Sequence, residues 1–269
     1  MKTITDQIGN TFTIDKSPER IICLVPSITE LLVDLGLKDK IVGVTKFCVH
    51  PKELREHKTI IGGTKNIKLE KIEALNPDII LCNKEENTKE IVTNCSKICN
   101  VYVSNIYTIK DTIAIIKTYG KLFNCDEKAQ EIIEKLTLEI KDFKDFIKNK
   151  TVLKVAYFIW KNPWMVAANK TFINHLLEIN NFENTFKNIE RYPEIKILEL
   201  EKRNLDLVLL SSEPYPFKEK DLLELKNRTI NCSVQLVDGA LFSWYGTRLL
   251  RAFKYFKNLR LNYESSLSK

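Results

Sequence analysis

Glycine and proline are scarce in this 269-residue chain, eight of each, which excludes collagen-like and low-complexity architectures. No apolar run approaches the ~20 residues that a membrane-spanning helix needs. The seven cysteines are odd in number and lack Cys-x-x-Cys spacing, so buried or free thiols in a reducing compartment are expected rather than a disulfide framework. Only three histidines occur, His50, His57 and His175, in separate segments; a zinc centre of histidines would need nearly all of them. Also missing are a Gly-rich phosphate loop, a Gly-x-Ser-x-Gly elbow, a His-Glu-x-x-His helix and an aspartate-rich calcium loop. Basic residues never gather in blocks of five or six. The net charge of +7 therefore reads as a solvated lysine-rich surface, not a nucleic-acid arm.

What is present is an ordinary globular balance, 44% hydrophobic and 29% charged, in a chain long enough for one large domain or two modest ones. Residues 3–14 alternate polar and apolar around Gly9-Asn10 and read as a hairpin. From residue 20 onward, short apolar runs alternate with 3–4-spaced helical stretches. Strands are expected at 20–25, 41–44, 78–82, 101–103, 152–159, 205–210 and 234–237. Helices are expected between them, one of which opens on Ser27-Ile28-Thr29-Glu30, a capping box, and stops at Gly36. Strand–helix alternation implies parallel sheets with helices on their faces. Residues 126–148 carry one apolar stripe (Ala129, Ile132, Ile133, Leu136, Ile140, Phe143, Ile147) and read as a long helix suited to joining two lobes. Residues 72–81 and 200–209 match at a constant offset of 128. The expected architecture is α/β: an N-terminal α/β lobe over 1–125, a backbone helix over 126–148 and a similar C-terminal α/β lobe over 149–269.

Candidate chemistry concentrates in loops that follow strands. Phe47-Cys48-Val49-His50-Pro51 is one, and Cys48 and His50 at i, i+2 are expected to point the same way, as a soft ligand pair or a thiolate–imidazole dyad. The aromatics form three further clusters: Tyr157, Phe158, Trp160 and Trp164 around Asn162; Tyr215 and Phe217 after Glu213; and Phe242, Trp244 and Tyr245 after Asp238. Parallel strands place such loops on one edge of a sheet. Aromatics in Pro/Gly loops suit a large flat organic ligand held by stacking.

These residues resemble the substrate-binding proteins of ABC importers that take up cobalamin, haem and ferric siderophores, the type III or helical-backbone class, and most of all its cobalamin-binding branch. The resemblance rests on Arg20-Ile21-Ile22-Cys23-Leu24-Val25-Pro26-Ser27 with Thr29-Glu30-Leu31, on Ile41-Val42-Gly43-Val44-Thr45 and on Ile61-Gly62-Gly63. It continues through residues 69–78, the long helix and residues 169–184. It implies a non-enzymatic, monomeric binding protein without a catalytic cofactor. The ligand would be a cobalamin-like corrinoid, or else haem or a ferric siderophore, in a cleft between the lobes. Pro26, Ser27, Phe47, Cys48, His50 and Lys65 would line it from the first lobe. Trp160, Asn162, Trp164, Glu213, Tyr215, Asp238, Phe242, Trp244, Tyr245 and Arg248 would do so from the second. Imidazole or thiolate at His50 or Cys48 would act as an axial metal ligand. Acidic residues of each lobe, Glu85, Glu86 or Glu90 and Glu213 or Glu219, would dock onto a membrane permease. The resemblance implies a periplasmic protein, whereas Met1 to Asn10 show no apolar signal core and there is no lipobox cysteine, so either a leader is absent from this sequence or the chain is a cytoplasmic relative. The alternatives are a cytoplasmic cofactor-handling protein or enzyme using Cys48 and His50, and a direct metal-ion receptor.

Overall fold

The computed structural model describes residues 1–227 and 232–267. The chain divides into two compact units: Met1–Thr137 with Trp244–Leu250, and Leu138–Ser243 with Arg251–Lys269.

In the first unit, β1 (Lys2–Thr5) and β2 (Thr11–Ile14) form the expected hairpin. There follow β3 (Ile21–Cys23), α1 (Pro26–Asp34), β4 (Ile41–Val44), α2 (Leu54–His57), β5 (Thr59–Ile60), α3 (Leu69–Ala74), β6 (Ile79–Asn83), α4 (Lys89–Cys95), β7 (Asn100–Ser104) and α5 (Ile109–Phe123). The sheet order is β5-β4-β3-β6-β7, parallel throughout. Ile21, Ile22, Ile79, Ile80, Leu81 and Cys82 are fully buried, as strands covered on both faces require. One face packs Ile72, Ile91 and Cys95 against Ile22, Ile80 and Cys82. Elsewhere in this core Tyr119 meets Tyr102 and Phe123 edge-on, at 5.4 and 5.6 Å between ring centroids.

The 22-residue helix α6 (Asp126–Ile147) begins in the first unit and ends in the second. It would extend roughly 33 Å at 1.5 Å per residue. The second unit then adds β8 (Leu153–Trp160), β9 (Met165–Val166), α7 (Phe172–Ile179), β10 (Phe182–Asn184), β11 (Leu207–Ser211), α8 (Glu219–Lys226), β12 (Ser233–Val237), α9 (Gly239–Ser243) and α10 (Leu249–Leu267), the last starting in the first unit. Its parallel order is β10-β8-β11-β12, with β9 antiparallel beside β8. The two sheets thus share one topology: β4-β3-β6-β7 and β10-β8-β11-β12 both place the first strand between the second and third.

The repeat at offset 128 is visible in hydrogen bonds. Asn76 and Asn204 both take left-handed backbone, φ 43° and 46°, the conformation asparagine tolerates best after glycine. The N–H of Asp78 donates to the Arg20 carbonyl and that of Asp206 to the Lys154 carbonyl, each at 2.9 Å. Both carboxylates accept in return, Asp78 Oδ2 from the N–H groups of Glu19 (2.7 Å) and Arg20 (2.9 Å), Asp206 Oδ2 from that of Lys154 (2.7 Å). Each aspartate clamps the entry of an inner strand of its unit, β6 or β11, to the strand beside it. Asp78→Ala and Asp206→Ala should each lower the free energy of unfolding by about 1 kcal/mol, read as a shift in urea midpoint. A large effect at one position and none at the other would contradict their equivalence.

The Ser27–Glu30 capping box does not form. Helix α1 starts at Pro26, whose missing N–H and preset φ suit a first turn, and Val25 makes no side-chain cap. Glu30 is instead drawn into a tertiary ion pair with Arg248. A capping box does form at Thr108 and Asp111, opening α5.

Candidate functional site

Strand order reverses between β3 and β6 in one unit and between β8 and β11 in the other, and the carboxyl ends at such a reversal are where open parallel sheets bind ligands. The loops leaving these four strands, with those after β4 and β12, carry most of the expected site residues.

In the second unit an aromatic chain runs out from the core. Buried Phe158 meets Trp164 edge-on (5.5 Å); Trp164 stacks on Phe217 (5.9 Å, 16° between planes); Phe217 meets Tyr215 (4.8 Å) and Tyr215 meets Trp160 (5.8 Å). The chain ends in Trp160, 39% exposed, and half-buried Tyr215. Lys161 braces it: its ammonium lies 5.2 Å from the Trp164 ring centroid and bonds Asp221 at 2.7 Å and Glu224 at 2.5 Å. Burial opposes both charges, yet the hydrogen bonds outweigh it, raising the lysine pKa and lowering that of Asp221, which the backbone N–H of Lys218 also stabilises. Asn162, exposed and in left-handed backbone (φ 62°), turns the loop between the two tryptophans.

The loop after β11 is locked from below. The Tyr157 hydroxyl donates to Ser211 Oγ (3.1 Å), which donates to the Glu213 carbonyl (2.6 Å), while Ser243 donates to Glu213 Oε1 (2.6 Å). Gly239 is required here by close approach, since a Cβ would lie 2.3 Å from Ser211 Oγ and 2.6 Å from Glu213 Cγ. Asp238 is exposed, with its Oδ1 accepting from the Ala240 N–H.

In the first unit, Phe47 is 48% exposed on the loop after β4, with the Lys46 ammonium 5.0 Å from its ring centroid. Half-buried His50 meets Trp244 edge-on at 5.6 Å. Pro26 is half-buried, Ser27 is buried, and Lys65 reaches the Glu85 carbonyl at 2.6 Å. Asn83 and Asn87, which no motif in the sequence marks as site residues, shape the loop after β6. Asn83 Oδ1 accepts from the N–H groups of Glu85 and Glu86, while Asn87 bridges the Asn83 N–H to the Thr64 carbonyl. The spacing Asn83-x-x-x-Asn87 directly after a strand was their only signal. Of the candidate docking acids, Glu90 and Glu219 are exposed in the first turns of α4 and α8; Glu85 and Glu86 are half-buried.

Five more of the expected site residues are buried. Cys48 is fully buried, its thiol against the hydroxyls of Thr29 (3.2 Å) and Thr45 (3.3 Å), and burial raises its pKa. Its thiol faces these hydroxyls, whereas the His50 ring meets Trp244. Phe242 is fully buried among Tyr157, Phe256 and Tyr255, where it fills the core of the second unit. Trp244, Tyr245 and Arg248 belong to the first unit and are 6–8% exposed. Tyr245 reaches Ser27 and Ser104, and burial pushes its phenol well up. Arg248 is committed to Glu30 and to the face of Trp244. Among the described residues no group of three or more metal-ligating side chains gathers, and no helix is long and apolar enough to cross a membrane. His175 sits within α7 beside Phe172, and His57 is exposed at the end of α2.

The buried thiol yields a direct check. Cys48 and Cys23, the latter pushed up to about 12 by burial, should react with a thiol reagent far more slowly than half-exposed Cys125. Mass mapping of the labelled chain would show this. Rapid labelling of Cys48 would restore it as a candidate nucleophile.

Known proteins agree with this architecture. A lipoprotein of Bacillus subtilis (strain 168) described as an uncharacterized ABC transporter substrate-binding lipoprotein is 28% identical over 194 residues, 68% of this chain and 60% of its own length. The chain therefore spans less than two thirds of that relative. A vitamin B12-binding protein of Vibrio parahaemolyticus is 27% identical over 197 residues, 72% of this chain and 70% of its own. The crystal structure of a periplasmic heme-binding protein from Pseudomonas aeruginosa superposes with a TM-score of 0.80 over 90% of this chain and 92% of that one, at 18% identity, a likeness of fold. Residues 21–230, which include β3 through α8, match the family described as periplasmic binding protein. With that match over more than half its length, the chain belongs to the periplasmic binding protein family.

Proposed function

We propose that this protein is the substrate-binding component of an ABC importer and that its cargo is a large planar metal chelate, a corrinoid or a tetrapyrrole. The observation that carries the reading is the exposed Trp160–Tyr215 pair at the ends of β8 and β11, backed by a rigid aromatic chain. Such a surface offers stacking area at low ordering cost. The relatives named for vitamin B12 and heme support the same ligand class. In the first unit, Phe47 and His50 likewise stand in a strand-end loop, and His50 is the one histidine so placed. A ferric siderophore is a third cargo of comparable size.

In this reading the protein works outside the cytoplasmic membrane as a monomer. Exposed Glu90 and Glu219 meet basic groups of the permease, steering docking more than adding affinity. In the same reading the cargo is carried unchanged, and the Cys48 thiol is packed against Thr29 and Thr45.

The protein should be incubated with cobalamin, cobinamide, haemin and a ferric siderophore, and the bound fraction recovered and weighed by mass spectrometry. One chelate should be retained unchanged. Recovery of a modified chelate would favour the cofactor-handling enzyme instead.

A further inference from the structure

The segment Trp244–Leu250 lies along α1. Gly246, at φ 94°, brings the backbone close to that helix: a Cβ there would sit 3.3 Å from Leu31 Cβ and 3.6 Å from the Ser27 carbonyl. Thr247 Oγ1 donates to Asp34 Oδ2 (2.5 Å), and one turn away Arg248 forks onto Glu30, Nε to Oε2 at 2.8 Å and Nη2 to Oε1 at 2.7 Å. Arg248 also stands over the Trp244 ring, 4.8 Å from its centroid, and the ring meets His50 on the loop after β4. A guanidinium locked in a two-point pair has one orientation, so the indole beneath it is fixed as well.

We propose that Arg248 is a positioning residue for the chelate site: held by Glu30, it pins Trp244 against His50 and thereby sets the imidazole's orientation toward the cargo. The proposal rests on the chelate-binding reading for its consequence, but not for the geometry itself. In this role Arg248 meets Glu30 and the Trp244 face rather than the cargo. It acts through two ring contacts, as partners behind a metal ligand commonly do.

Arg248→Lys keeps the charge and loses the fork, and Trp244→Phe tests the same relay should the first variant not fold. Histidine ring resonances of the ligand-free protein are read by NMR, His50 being assigned by its loss in His50→Gln. In either variant the His50 resonances should move while those of His57 and His175 stay in place. Affinity for haemin or cobalamin, whichever the unaltered protein binds, should fall by about tenfold, the scale found for lost supporting partners. Unmoved His50 resonances in a folded variant would overturn the relay, as would moved resonances with unchanged affinity. Should neither chelate bind the unaltered protein, the chelate reading fails while the resonances still decide whether Arg248 orients His50.

Discussion

Replacement of Trp160 by alanine is expected to weaken chelate binding by at least tenfold, and the Trp160→Ala, Tyr215→Ala double variant by about a hundredfold. The two rings meet edge-on at 5.8 Å, and Trp160 is the most exposed large aromatic in the second unit. Removing Trp160 therefore deletes contact area without opening the core. Stability should barely change, since the supporting stack of Trp164 on Phe217 remains. Substitution of Phe242 should do the reverse. That ring is fully buried, and losing it costs about 3–5 kcal/mol of folding free energy through the cavity it leaves. Fluorescence titration of each variant beside a urea melt separates the two roles. A stable Trp160→Ala protein with undiminished affinity would remove the aromatic pair from the site.

The Glu30–Arg248 pair should show the other large effect. Both side chains are nearly buried, at 9% and 6% exposure. Arg248→Met leaves Glu30 as an uncompensated buried carboxylate and should destabilise the first unit by about 3–5 kcal/mol. The Glu30→Met, Arg248→Met double variant should recover most of that loss, because two apolar side chains of similar volume ask for no partner. Equal loss in the single and double variants would mean that packing rather than charge holds the segment. Thr247, bonded to Asp34 one turn along, keeps the segment docked in either case.

Which parts of this were legible in the sequence follows from the range of the interactions. Strands β3, β6, β8 and β11 are buried on both faces and read as continuous apolar runs, and the helices between them show 3–4 spacing. The repeat between residues 72–81 and 200–209 was visible because Asn76 and Asn204 answer one backbone demand, and Asp78 and Asp206 one clamping role. The gathering of aromatics after strands was likewise legible, and Trp160, Trp164 and Tyr215 do lie together. Partners distant in the chain were not. Glu30 has the spacing of a capping residue, and nothing local announces an arginine 218 positions away. Trp244 and Phe242 stand two residues apart in one cluster, yet they face different units, a division no periodicity records. Cys48 and His50 share an i, i+2 spacing that extended backbone would align. The loop is not extended there: the Cys48 N–H turns back to the Thr45 carbonyl at 3.1 Å, and the thiol goes inward.

The central claim is that an aromatic strand-end surface binds a planar metal chelate. Calorimetric titration of the intact protein with haemin, cobalamin, cobinamide and a ferric siderophore tests it most directly. Saturable one-to-one binding of one of them is expected, with a sub-micromolar dissociation constant, on the order of −8 kcal/mol or more favourable. Absence of heat and of spectral change with all four would contradict it.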